Sequence, residues 1–150
     1  MFRFTGVDVI LFVRDEVLAQ VLSEIDDSSE IAISVVCTRD GFPIAYAINS
    51  EKGPDIELLT AMTAAVHATA NKAIEELDAG YHRTSIIESS EGTVLIRDII
   101  DDTILCCYIP KAKEERGIRV RSYMLGVALS TMERIATKLR KYLVSLKKAL

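Results

Sequence analysis

The run IAISVVCTRDGFPIAYAIN, residues 31–49, decides the fold class. Two strand-like apolar segments, Ile31 to Thr38 and Phe42 to Asn49, meet at Arg39-Asp40-Gly41. Asp-Gly between apolar runs marks a β-hairpin, because glycine accepts the positive φ of the turn at little cost. Pro43 has no N–H to give to a ladder, so the second strand is expected at a sheet edge or with its start unpaired.

Downstream, Gly53-Pro54 opens a helix, with proline at a first-turn position and Asp55 and Glu57 near the positive end of the helix dipole. Leu59, Met62, Val66, Ala70, Ala73 and Leu77 form a heptad-like stripe flanked by Ala and Thr. From Leu58 to Asn71 the only side chain able to carry charge is His67. An ordinary surface helix turns charges outward, so this helix is expected to be covered on more than one side. The periodicity leaves open which side faces the sheet.

Three strands follow, His82 to Glu88, Thr93 to Ile100 and Thr103 to Ile109, separated by Ser89-Ser90-Glu91-Gly92 and by Asp101-Asp102. Those connections are too short for parallel crossovers, so the three form an antiparallel meander. Beyond Pro110 and a charged loop from Ala112 to Val120, a long final helix starts near Arg121. Leu125, Leu129, Met132, Ala136, Leu139, Leu143, Leu146 and Leu150 step by four and three, and Ala128, Ile135, Tyr142 and Ala149 widen the stripe. That width suits packing on a sheet. Arg134, Lys138, Arg140, Lys141, Lys147 and Lys148 fall on the opposite face. Upstream, Thr5-Gly6-Val7-Asp8 has the form of a capping box. Apolar residues from Val7 to Ile25 recur at helical spacing and place a first helix over about residues 6–26, while Val9 to Val13 fits equally a short strand before a helix from Arg14.

The 150 residues carry 18 Lys+Arg against 22 Asp+Glu, a net charge of −4, with 49% hydrophobic residues. No linker or repeat divides them, and residues 1–150 are expected to form one domain able to bury roughly two thirds of its unfolded surface. The charge is split: residues 1–110 hold seven basic and nineteen acidic side chains, net −12, whereas residues 111–150 hold eleven and three, net +8. An acidic body repels phosphate, which argues against nucleic acid as a partner. Apolar runs such as Val9 to Val13 fall far short of the roughly 20 residues that cross a bilayer, so no stable membrane insertion is expected. Asp8 interrupts the N-terminal apolar stretch and no small-residue cleavage site follows, which argues against a secretory signal. Cys37, Cys106 and Cys107 are odd in number and read as small buried hydrophobes in a reducing compartment, so the expected location is cytoplasmic.

Motifs for chemistry are absent: there is no GxxxxGK[ST], GxGxxG, HExxH or CxxC. His67, His82 and the adjacent pair Cys106-Cys107 lack chelate spacing, so neither a metal nor another cofactor is expected. Cys37 with one of the histidines is the single nucleophile and base combination on offer, and a packed thiol inside an apolar strand is the stronger reading. His67 reads as a helix-packing or interface residue rather than a base. Asp101-Asp102 suits side-chain to backbone hydrogen bonds in a turn better than paired catalytic carboxylates. The basic final helix has the composition of helices that lie on anionic membranes or nucleic acid. The sheet needs its Leu stripe, however, which leaves the cations in solvent and available to an acidic partner.

Three segments carry a family resemblance. Asp40-Gly41-Phe42-Pro43-Ile44-Ala45 after a strand resembles the turn of the roadblock/dynein light chain family, the small-residue helix Asp55 to Leu77 resembles its central helix, and Gly92-Thr93-Val94-Leu95-Ile96-Arg97-Asp98 with Asp101-Asp102 resembles its fourth strand and following turn. The resemblance spans about residues 14–146. It implies an α+β fold, a profilin-like α/β sandwich: a five-stranded antiparallel sheet of order 2-1-5-4-3, with the first and last helices on one face and the central helix on the other. It implies homodimers that pair central helices and third strands, with Leu59, Met62, Val66, His67, Ala70, Thr84 and Ile86 as interface residues. It further implies a non-catalytic regulator or scaffold that binds a small Ras-like GTPase, with or without stimulating GTP hydrolysis. The long last helix points to the MglB-like or archaeal regulator class rather than the motor light chains. The alternative is a structural adaptor subunit of a larger complex without a GTPase partner, and a small enzyme built on Cys37 or His67 is a third reading. Arg39, Arg83 and Arg97 are arginine-finger candidates, although solvated strand-end arginines describe each better.

Overall fold

The computed structural model describes residues 31–48, 53–100, 102–111 and 121–149. The hairpin forms as its sequence dictates: β1 (Ile33–Thr38) pairs antiparallel with β2 (Pro43–Ile48). Gly41 takes a φ of 89°. The Thr38 amide donates to the Phe42 carbonyl at 2.9 Å and the Phe42 amide to Thr38 Oγ1 at 3.1 Å, which closes the turn. Pro43 sits opposite Cys37, where the register shifts, on the outermost strand of the sheet. Its missing N–H therefore costs the sheet no central hydrogen bond.

The chain continues through α1 (Ile56–Glu76), β3 (Thr84–Glu88), β4 (Gly92–Ile100), β5 (Thr103–Pro110) and α2 (Arg121–Ala149). The five strands form one sheet in the order β2-β1-β5-β4-β3, every neighbouring pair antiparallel. This is the α+β architecture and strand order expected above. The third strand begins at Thr84 rather than His82, because the His82 side chain turns under α1 instead of continuing the ladder.

Strand periodicity sorts the core into two layers. On one face Ala128, Met132, Ile135 and Leu139 of α2 pack on Val36, Ala45, Leu95, Ile99, Leu105 and Cys107. The alternating residues Cys37, Ile96, Ile104 and Cys106 cluster on the opposite face. That face belongs to α1, whose His67 bonds Asp98, two residues beyond Ile96. Adjacent Cys106 and Cys107 thus serve different layers. Arg97, on the α2 side, forms an ion pair with Glu133, and Arg140 Nε donates to the Ile99 carbonyl at 2.8 Å. These polar contacts fix α2 along β4 beside its apolar stripe, while Arg134, Lys138, Lys141 and Lys148 are exposed. The expected first helix over residues 6–26, with its 9–13 ambiguity, and the loop at 112–120 lie outside the described residues. No described helix is long and apolar enough to cross a membrane.

Candidate functional site

Helix α1 is the unusual element. Asp55 caps it by accepting from the Leu58 amide at 3.2 Å, and Asp78 at φ 49° with Gly80 at φ 86° ends it. Its buried residues are Thr60, Thr63, Ala64 and His67, a mostly polar set at helical spacing turned toward the sheet. Leu58, Met62 and Val66, spaced by four, are turned outward at 56%, 58% and 38% exposure. The amphipathicity is inverted relative to a helix that packs only on its own sheet.

The buried side-chain polar atoms of α1 are satisfied, which makes the inversion tolerable. Thr60 Oγ1 donates to the Gly41 carbonyl at 2.7 Å, docking the hairpin turn on the helix. Thr63 Oγ1 donates to the Leu59 carbonyl at 2.8 Å. His67 Nε2 lies 2.6 Å from Asp98 Oδ1, and the other carboxylate oxygen lies 2.7 Å from His82 Nδ1. The outer ring nitrogens have partners too: Asn71 Nδ2 is 3.2 Å from His67 Nδ1 and Ser85 Oγ is 2.7 Å from His82 Nε2. The two imidazoles meet edge to face with centroids 4.9 Å apart. Arg39 of the hairpin turn approaches Asp98 Oδ1 at 3.6 Å.

Of the residues expected at an interface, Met62, Val66 and Ile86 are exposed, and Leu59, Ala70 and Thr84 are half-buried. His67 is turned inward to Asp98 at 2% exposure. The register of β3 on β4 places Ile86 opposite Leu95, on the α2 side of the sheet, and Thr84 on the same side, where its Oγ1 accepts from Arg97 at 3.0 Å. Ser85 and Ile87 therefore face the α1 side, and Ile87 is exposed at 39%. Leu58 and Ile87 extend the apolar surface beyond the sequence expectation. Adjacent Ile86 and Ile87 on a strand must face opposite sides, and that was the available signal.

The catalytic alternatives lose support. Burial, and then the neighbouring Cys106, push the Cys37 thiol up to about 12, so the nucleophilic thiolate is suppressed. Burial likewise raises Cys106 and Cys107. Arg97 is held between Glu133 and Thr84, whereas Arg83 is exposed and Arg39 leans on Asp98 with its side chain half exposed. The His67, Asp98 and His82 grouping escaped the sequence reading because its members come from a helix, a pre-strand loop and a strand. The signal was Asp98 itself, a carboxylate in alternation with inward-facing Val94 and Ile96.

The Roadblock/LC7 domain profile matches residues 17–108. The chain belongs to the roadblock/LC7 family. Among solved structures, this roadblock chain is similar to the gliding protein MglB from Thermus thermophilus, with a TM-score of 0.72 and 14% identity over 91% of this chain and 96% of that one. Myxococcus xanthus MglB gives a TM-score of 0.75 and 12% identity over 88% and 98% of the two chains. An MglB in a tetrameric arrangement gives 0.72 and 15% over 91% and 96%. No curated protein sequence matches it. At such identities the likeness is one of fold, and it extends over nearly the whole length of each structure. The sheet order and the two faces carrying α1 and α2 are thus the roadblock scaffold, on which α1 presents an outward apolar stripe.

Proposed function

We propose that this roadblock domain is a non-catalytic, homodimeric cytoplasmic regulator or scaffold for a small Ras-like GTPase. The observation that carries the reading is the inversion of α1. Leu58, Met62 and Val66 are left 56%, 58% and 38% exposed by their own chain, and covering what remains is worth roughly 1 kcal/mol each. A second copy of the same helix offers a matching stripe, and an isologous contact about a two-fold axis is the commonest way such a surface closes. Ile87 at the neighbouring sheet edge adds to that surface, Leu59 and Ala70 would lie at its margins, and Thr84 and Ile86, on the α2 side of the edge strand, would join only through an edge-to-edge pairing of β3. His67 would support the contact from beneath by holding α1 to β4. The similarity to MglB structures, one of them tetrameric, is consistent with self-association. The three buried free cysteines fit a reducing compartment.

Light scattering at micromolar concentration is expected to report a dimer, and Val66→Glu a monomer. Pull-down with a Ras-like GTPase from the same genome, loaded with GDP or a GTP analogue, tests the partner. A monomeric wild type would remove the dimer, and failure to bind in both nucleotide states would leave an adaptor without a GTPase.

A further inference from the structure

His67, His82 and Asp98 bring two imidazoles and one carboxylate to one place, with a ligand atom from each inside a span of 4.8 Å. We propose that these three side chains form a binding site for one divalent transition-metal ion of the zinc class. Two nitrogens and one oxygen are a donor set that suits zinc, and three protein ligands leave a fourth position for water.

The outer shell supports the assignment. A ligating histidine usually has its other ring nitrogen held by a polar group, which sets the ring orientation. Both rings have such a partner here: Ser85 Oγ at 2.7 Å from His82 Nε2, and the Asn71 amide at 3.2 Å from His67 Nδ1. In the metal-free arrangement His67 Nε2–H and His82 Nδ1–H donate to Asp98, while Asn71 and Ser85 donate to the outer nitrogens. On metal binding each ring proton shifts to its outer nitrogen. The Ser85 oxygen then accepts one, and the Asn71 amide, turned to present its oxygen, accepts the other. No proton is lost and each ring N–H keeps an acceptor.

The fit requires small movements. Zinc to ligand distances of about 2.0–2.1 Å place tetrahedral donors roughly 3.3 Å apart. The present contacts of 2.6 and 2.7 Å must open and the two imidazoles must close in, which side-chain rotation can supply. The imidazoles are 2% and 3% exposed, whereas the Asp98 side chain is 24% exposed and gives the ion its way in. Arg39 stands over that entrance, 3.6 Å from Asp98 Oδ1, and its own side chain is 49% exposed and free to swing aside. The three ligands are anchored on α1, on β4 and immediately before β3, so the rigid scaffold rather than a loop tip sets their separation.

The test uses the full chain, stripped with a chelator and titrated with zinc against a chromophoric competitor. One zinc per chain is expected. Affinity should fall at least tenfold in His67→Gln, His82→Gln and Asp98→Asn, on the order of tenfold in Asn71→Ala and Ser85→Ala, and rise in Arg39→Ala. Should Asp98→Asn fail to fold, cobalt bound to the wild type decides: visible d–d bands without thiolate charge transfer support nitrogen and oxygen ligation. Absence of stoichiometric binding, a thiolate band, or zinc binding undiminished in the triple variant would overturn the proposal and leave the cluster a hydrogen-bonded lock between α1 and the sheet.

Discussion

Gly41 answers two demands at once. Its φ of 89° lies where side chains are strained, and a Cβ there would stand 3.0 Å from Ala61 Cα, backbone that cannot yield without moving α1. Gly41→Ala should therefore destabilise the domain by about 1–3 kcal/mol in urea unfolding, and it should disturb the Thr60 bond to the Gly41 carbonyl as well. The cysteines make a second residue-scale prediction. Cys37 ionises near pH 9 when unfolded and at about 12 when folded. Below pH 9 the thiol is protonated in both states and its contribution to stability is fully present. As pH rises from 9 toward 12 the unfolded state gains thiolate that the folded state cannot match, and the contribution is lost. Cys106 and Cys107 shift in the same direction, so denaturant midpoints should fall steeply above pH 9. At pH 8 native Cys37 should resist alkylation while the unfolded chain reacts.

At the scale of the element, α1 and α2 divide the work differently. Helix α2 buries its aliphatic stripe against the sheet, as its periodicity demands, and Met132 and Leu139 are fully buried. Helix α1 buries threonines and a histidine and exposes leucine, methionine and valine. Val66→Glu or Met62→Glu should break a dimer, since an unpaired charge in an apolar contact costs several kcal/mol. The same changes should leave the fold of the single chain within about 0.5 kcal/mol of wild type, because both sites are exposed there. Circular dichroism melts beside light scattering separate the two effects. The missing charge between Leu58 and Asn71 made the apolar outer side of α1 legible in the sequence. Its orientation was not legible, because Ala and Thr on the flanks fit either side, and the hydrogen bonds that let Thr60 and Thr63 face inward involve tertiary packing.

For the whole molecule, what could be read and what could not follow from range. The hairpin at Arg39-Asp40-Gly41, the meander from β3 to β5 and the edge position of Pro43 are local signals with local causes, and the structure has all of them. The meeting of His67 with Asp98, 31 residues away in sequence, depends on where a helix lands on a sheet, and no short motif encodes that. The two-sidedness of the sheet also separates two surfaces. The apolar stripe of α1 lies on one face and the exposed Arg134 and Lys141 of α2 on the other. An acidic partner recruited along α2 need not compete with the proposed self-association through α1. Its binding should weaken as salt is raised and on Arg134→Glu with Lys141→Glu, measured by pull-down, with the dimer unchanged. The inverted helix has a kinetic consequence as well. Because its inward polar groups find all their partners within one chain, a protomer can complete its fold before it meets another. Dilution should then yield intact single subunits rather than unfolded ones, and mixed dimers should form by exchange from differently tagged pools, so that expression level rather than chain folding sets how much of the assembled form exists.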